Sequence, residues 1–300
     1  MKTTRKTTWQ FVFFLCITIS GVVSLPAAGL ADSFSWTTID VPGATLTFPL
    51  GINPAGEIVG EFFDSNGVHG FLLSHGRFTT IDVPGATGTE ACGINPAGEI
   101  VGGYLDNGGA GHGFLLRQGR FSIIDPPGAT GSAANSINPA GEIVGDYTDN
   151  SGLSHGFLLS QGRFFTIDPP GTTSTRADGI NPARDIVGFY VDGASLYHGF
   201  LFSQGNYISI DVPGASGSAA FGINPAGEIV GEYDDYSGVG HGFLLSEGTF
   251  TTIDFPNANV VYTNPDGISP EGDIVGAYIV YLADSDSYVY HGFLLKREKQ

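Results

Sequence analysis

Histidine and aspartate recur in this sequence at one fixed spacing, thirteen residues apart: His69 with Asp82, His112 with Asp125, His155 with Asp168, His198 with Asp211, and His241 with Asp254. An imidazole held by a carboxylate is half of a general-base arrangement, and a neutral imidazole is also a common metal ligand. Neither chemistry follows here. No serine or cysteine recurs beside the pairs as a nucleophile, and copies carried on separate repeats cannot converge on one ion. The pairs read as hydrogen bonds that tie each repeat together, since structural pairs perturb titration as catalytic ones do. Two partners are left over, Asp40 near the start and His291 near the end.

Each pair brackets a hairpin. In HGFLLSQGRFFTID, residues 155 to 168, two apolar and β-branched runs flank Gln161-Gly162, whose glycine suits the positive φ of a two-residue turn. That register places His155 opposite Asp168.

The hairpin belongs to a longer repeat. GINPAGEIVG or a near copy begins at Gly51, Gly93, Ser136, Gly179, Gly222 and Gly267, and its asparagine position advances by 42, 43, 43, 43 and 45 residues. Each period holds four strand candidates. The first is a run of small residues ending in Gly-Ile-Asn, followed by an Asn-Pro-Ala-Gly turn. The second is EIVG plus an aromatic, Phe62, Tyr104, Tyr147, Tyr190, Tyr233 or Tyr278. HGFLL is the third, and the run ending in Ile-Asp is the fourth. No window reads as a helix, because Gly or Pro interrupts every longer apolar run.

Four antiparallel strands in about 43 residues is the pattern of a propeller blade. A β-solenoid would use shorter coils, and an open array would leave sheet edges exposed. The chain starts with a lone fourth strand, Trp36 to Asp40, and ends with a third strand, His291 to Leu295, that lacks a fourth. The sequence therefore predicts an all-β, six-bladed β-propeller. Its ring closes when the N-terminal strand completes the last blade and Asp40 faces His291.

Composition narrows the partners. Residues 1–31 read as a signal peptide, with Lys2, Arg5 and Lys6 ahead of an apolar core from Phe11 to Leu25 and a small-residue cleavage site at Gly29 to Ala31. This predicts a secreted protein, extracellular or periplasmic, with one domain over 32–300 and no membrane insertion after cleavage. The remainder carries nine Lys and Arg against thirty Asp and Glu, which disfavours nucleic acid and anionic lipid. Cys92 is its one cysteine, so no internal disulfide is available. A monomer is expected.

The run INPAGEIVG followed by HGFLL resembles the HAF-type extracellular repeat family, with glycine in place of the alanine of His-Ala-Phe at Gly70, Gly113, Gly156, Gly199, Gly242 and Gly292. The resemblance spans Gly51 to Leu295 and implies export and a repeated β fold. It transfers no catalytic residue.

Aspartates crowd the loops between the second and third strands: Asp64, Asp106, Asp149, Asp192, Asp234, Asp235, Asp284 and Asp286. They are candidate Ca²⁺ ligands. Their spacing is not that of a dedicated calcium loop, and Asp beside Gly is also what tight turns need. No other cofactor or metal is expected.

Chemistry specific to this chain must lie where the repeat fails. The positions three and five residues before the repeat asparagine vary among the copies: Leu50 and Phe48, Cys92 and Glu90, Asn135 and Ala133, Asp178 and Arg176, Phe221 and Ala219, with Asp266 in the last. Around a channel mouth they would form one asymmetric pocket, to which a longer last loop, Tyr281 to Tyr290, would add Tyr288 and Tyr290. The predicted ligand-binding residues are Glu90, Arg176, Asp178, Phe221, Asp266 and Tyr288. Aromatics beside carboxylates suit carbohydrate, so the expectation is a binding or scaffold module for a carbohydrate or protein ligand, with no catalytic residue assigned. The alternative is a polysaccharide hydrolase or lyase using Glu90 with Asp178 or Asp266 as acid and base.

Overall fold

The computed structural model describes residues 34–298; the signal peptide expected at 1–31 lies outside the described residues. Among those residues every helix or strand assigned is a strand. Each repeat folds as four antiparallel strands in chain order, as in Gly131–Ile137, Ile143–Thr148, Ser154–Ser160 and Arg163–Ile167. Four such sheets stand separately, and the strands of the last two repeats merge into an eight-stranded sheet through a single parallel bridge between Gly240 and Tyr262.

The hairpins have the expected register. Gly156 faces Ile167 and Ser160 faces Arg163, leaving Gln161 and Gly162 as the turn. Both turn residues take positive φ, 51° and 74°, the pairing whose twist matches that of the flanking strands.

Burial explains the constancy of HGF. The six phenylalanines Phe71, Phe114, Phe157, Phe200, Phe243 and Phe293 have no exposed surface. Each is worth about 1.5–3 kcal/mol of apolar burial. Phe157 packs with Ile137 and Ile143 of its own sheet and with Val101 and Ile124 of the sheet before it, so the apolar seams lie between consecutive sheets. The first and last repeats share a seam of the same kind, in which Ile52, Ile58 and Phe71 meet Val275 and Leu294.

The first and last of the described strands meet. Strand Phe34–Ile39 pairs antiparallel with Ser287–Arg297, with Phe34 opposite Arg297 and Ile39 opposite Gly292. The innermost strands approach each other so closely that glycine is required: a Cβ on Gly222 would lie 2.8 Å from the Asp266 carbonyl oxygen, and one on Gly267 would lie 2.8 Å from that of Leu50.

One local expectation fails. Residues Tyr281 to Tyr290 are mostly strand, because Ile274–Leu282 and Ser287–Arg297 continue their ladder until Leu282 faces Ser287. The alternating aromatic and β-branched residues of this stretch favour pairing over a loop.

Candidate functional site

In every repeat the ladder between the first and second strands slips by one residue. The slips fall between Pro49 and Gly51, Ala91 and Gly93, Ala134 and Ser136, Ala177 and Gly179, Ala220 and Gly222, and Pro265 and Gly267. The skipped residues are Leu50, Cys92, Asn135, Asp178, Phe221 and Asp266. A β-bulge re-aims the side chain it carries, and all six of these line one cavity of about 470 Å³. The glycine of Ile-Val-Gly permits the bulge, since a Cβ on Gly102 would overlap the Glu90 carbonyl oxygen.

Five of the six predicted residues, Glu90, Arg176, Asp178, Phe221 and Asp266, therefore meet in this cavity. Tyr288 does not. It faces Tyr281 across the last hairpin with ring centroids 5.3 Å apart, outside the lining. Tyr290, two residues further along the same strand, does line the cavity and tilts against Phe48 at 5.8 Å.

Sequence reasoning missed a further set. The residue after Ile-Val-Gly lies opposite the residue five before the asparagine, as Glu61 faces Phe48, Phe189 faces Arg176 and Glu232 faces Ala219. Glu61, Phe189 and Glu232 all line the cavity. The available signal was the change from Glu61 to Gly103, Asp146, Phe189, Glu232 and Ala277 at that position.

The cavity is strongly acidic. Glu61, Glu90, Asp178, Glu232, Asp234 and Asp266 line it against a single cation, Arg176. Arg176 Nε lies 2.7 Å from Asp178 Oδ1 and 3.7 Å from Asp146 Oδ1. Burial alone would depress the guanidinium's pKa, but Asp178, Asp146 and Glu90 outweigh it and raise the value, so Arg176 stays charged.

The carboxyls respond in the opposite sense. Burial lifts Asp178 to about 7 despite the attraction of Arg176. Burial and the neighbouring charges of Asp234 and Asp178 lift Glu232 to about 8. Burial, then the charges of Glu90 and Asp266, push Glu61 well up, and burial, then the charge of Glu232, pushes Asp266 well up. Burial raises Glu90 as well, against the pull of Arg176. Cys92 is buried, and burial followed by the Glu90 charge pushes its thiol well up, which removes the thiolate a nucleophile needs.

Several of these side chains lack protein partners. Glu61 Oε2, Asn135 Oδ1, Asp178 Oδ2, Glu232 Oε2 and Asn264 Oδ1 have no hydrogen-bond partner. Both amides are oriented by their other end: Asn135 Nδ2 donates to Asp146 Oδ1 at 3.1 Å and to the Ala177 carbonyl at 3.0 Å, and Asn264 Nδ2 donates to Asp266 Oδ1 at 3.3 Å.

The repeated histidines are occupied elsewhere. His69, His112, His155, His198, His241 and His291 bind Asp82, Asp125, Asp168, Asp211, Asp254 and Asp40 through Nδ1 at 2.7–3.2 Å. Each ring also packs against the aromatic of the second strand, as Tyr104 does on His112 at 5.1 Å. Five of the aspartates considered for Ca²⁺, Asp64, Asp106, Asp149, Asp192 and Asp235, close their own loops: Asp106 Oδ1 accepts from the Gly108 and Ala110 amides, and Asp149 Oδ1 from those of Ser151 and Leu153. Their second oxygens face the histidine, 3.6 Å from His112 Nε2 and 3.4 Å from His155 Nε2.

Neither family models nor curated proteins match the sequence. Solved structures do match the fold. TolB from Acinetobacter baumannii superposes with a TM-score of 0.57 at 14% identity over 85% of this chain, which spans 64% of that protein. A gluconolactonase from Xanthomonas campestris superposes at 0.52 with 12% identity, covering 90% of this chain and 92% of the other. AofleA from Arthrobotrys oligospora gives 0.50 and 12% identity, covering 87% and 86%. At such identities the likeness speaks for the fold alone. The chain is an all-β protein of repeated four-stranded antiparallel sheets, a β-propeller.

Proposed function

We infer that this chain is an exported, six-bladed propeller of the HAF-repeat type that works as a binding module, seating part of a carbohydrate ligand in the cavity at the centre of its ring. One observation carries the reading. Six bulges, one per repeat, aim six residues of five types into one cavity, while the sequence after them is nearly constant. Stability alone would favour the same apolar side chain at each position, whereas a ligand without sixfold symmetry needs different ones. The aromatic rings of Phe221, Phe189 and Tyr290 beside carboxyls and amides suit the apolar faces and hydroxyls of a sugar. The pairing of Phe34–Ile39 with Ser287–Arg297 supports closure of the ring. The basic and apolar N-terminus supports export.

A second reading, a polysaccharide-cleaving enzyme, draws on Asp178, whose carboxyl titrates at about 7 and so has the profile of a general acid. A glycan array probed with the wild-type protein and with Phe221→Ala tests the binding reading. Retained glycans that the variant loses support it, and an array with no retained glycan contradicts it. Release of reducing ends from a retained glycan would favour the enzyme.

A further inference from the structure

We propose that the ligand of the central cavity presents a cationic amine, as an amino sugar does, and that its three N–H donors find acceptors among Glu61, Asn135, Asp178 and Glu232, all of which line the cavity. The inference rests on the cavity being the ligand site, and it specifies the chemical class of what enters.

The first observation is charge. Six carboxyl groups line the cavity and Arg176 is the one cation among them. Arg176 is already engaged by Asp178 at 2.7 Å, with Asp146 at 3.7 Å behind it, and its charge only partly offsets those of Glu61 and Asp266, whose pKa values stay raised. Like charges crowded in a partly dry site repel one another unless they hold protons or gain a counter-charge. Titration of the cavity follows the first route, since burial and the charges of neighbouring carboxylates raise the pKa of Glu61, Glu232 and Asp266. A bound ammonium would provide the second.

The second observation is independent of charge. Glu61 and Asp178 are only 5% and 8% exposed and Asn135 only 6%, yet Glu61 Oε2, Asp178 Oδ2 and Asn135 Oδ1 have no hydrogen-bond partner. Buried polar atoms are normally satisfied, so three such atoms lining one cavity, from three different repeats, mark where another molecule's atoms belong. All three are oxygens, as are the unpartnered Glu232 Oε2 and Asn264 Oδ1. The unpartnered donor in the lining is Arg176 Nε, which lies against Asp178. Asn135 cannot turn to offer its NH₂ without losing its bonds to Asp146 and Ala177. Once ionised, the carboxylates join the Asn135 oxygen in offering acceptors alone, and an ammonium, with three N–H donors and no acceptor, matches them and favours that ionisation.

The third observation is the aromatic surround. Phe189 packs edge-on against Phe221 at 6.4 Å, and Phe48 tilts against Tyr290 at 5.8 Å. Rings of this kind hold the carbon skeleton of a small ligand, and their faces attract a cation.

The test is calorimetric titration of the purified protein at neutral pH with four probes: glucosamine, N-acetylglucosamine, glucose and cyclohexylamine. Glucosamine should bind about tenfold or more tighter than the other two sugars, the effect of roughly one charge-assisted hydrogen bond. Glu232→Gln and Glu61→Gln should each weaken glucosamine about tenfold more than they weaken N-acetylglucosamine, and should keep or raise the melting temperature. Equal binding of the three sugars overturns the amine while leaving the carbohydrate reading in place. Binding of cyclohexylamine with none of the sugars keeps the amine and removes the carbohydrate. Failure of all four probes overturns both.

Discussion

His291, in the last strand, is hydrogen-bonded through Nδ1 to Asp40 Oδ2 at 2.8 Å across a sequence separation of 251 residues. The same bond joins His112 to Asp125 at 2.8 Å within a single hairpin. The fastener that elsewhere holds a strand to its sequence neighbour thus holds the two ends of the domain together. Trp36 strengthens the seam by packing on Phe255 and Phe293, each at 5.0 Å.

Breaking that seam should cost more than breaking any one hairpin. His112→Ala removes a half-exposed bond and is expected to lower stability by about 1 kcal/mol. Trp36→Ala should cost about 2 kcal/mol through lost apolar and aromatic contact. Deleting Phe34 to Ile39 strips a whole edge from Phe293 and Leu295, both fully buried, and should leave a protein that melts well below either variant. Thermal unfolding of the three compares them directly. A deletion variant as stable as the wild type would contradict closure through this strand.

The bulges predict a contrast between two glycines. Gly102→Ala would drive a methyl group into the Glu90 carbonyl and should cost more than about 3 kcal/mol or prevent folding. Gly162→Ala meets nothing within 4 Å and pays only for its positive φ of 74°, about 1 kcal/mol. Denaturant unfolding distinguishes them, and equal costs would show that the bulge relaxes.

Much of this frame was legible in the sequence. The thirteen-residue His-to-Asp spacing fixed the hairpin register, and the leftover Asp40 and His291 located the seam. The bulge was not legible, because a slipped ladder leaves no composition signal beyond the glycine of Ile-Val-Gly, which also reads as an ordinary strand residue. Without the bulge, the role of Glu61 and Glu232 stayed hidden: a residue after Ile-Val-Gly reads as one more alternation along a strand. Tyr288 was misplaced for the opposite reason. Two residues along a strand shift a side chain by nearly 7 Å on the same face, enough to carry Tyr288 outside the cavity that Tyr290 enters.

Stability should fall as pH rises through neutrality. Asp178 and Glu232 titrate at about 7 and about 8, above their ordinary values of 3.8 and 4.5, so the folded protein holds extra protons between about pH 4 and pH 8. Each unit of pH across that window therefore favours the unfolded chain. His241 adds to the trend: its bond to Asp254 raises its pKa, giving stability below 6.5 that is lost as the folded form deprotonates. At the acid end Asp149, held down to about 2 by Ser151 and the Leu153 amide, loses its contribution as pH falls toward that value. The melting temperature should peak at mildly acidic pH. Glu232→Gln should raise it at pH 8.5 by about 2–4 °C per kcal/mol of relieved burial. A midpoint that rises from pH 5 to pH 8 would contradict the buried-carboxyl account.

The central claim is that the six bulge residues form one ligand site, and a crystal structure of the protein soaked with the tightest-binding glycan tests it most directly. The account predicts sugar density inside the cavity, between Phe221 and the carboxyls of Asp178 and Glu232. Density on the outer strands or between neighbouring sheets, with the cavity free of ligand, would contradict it.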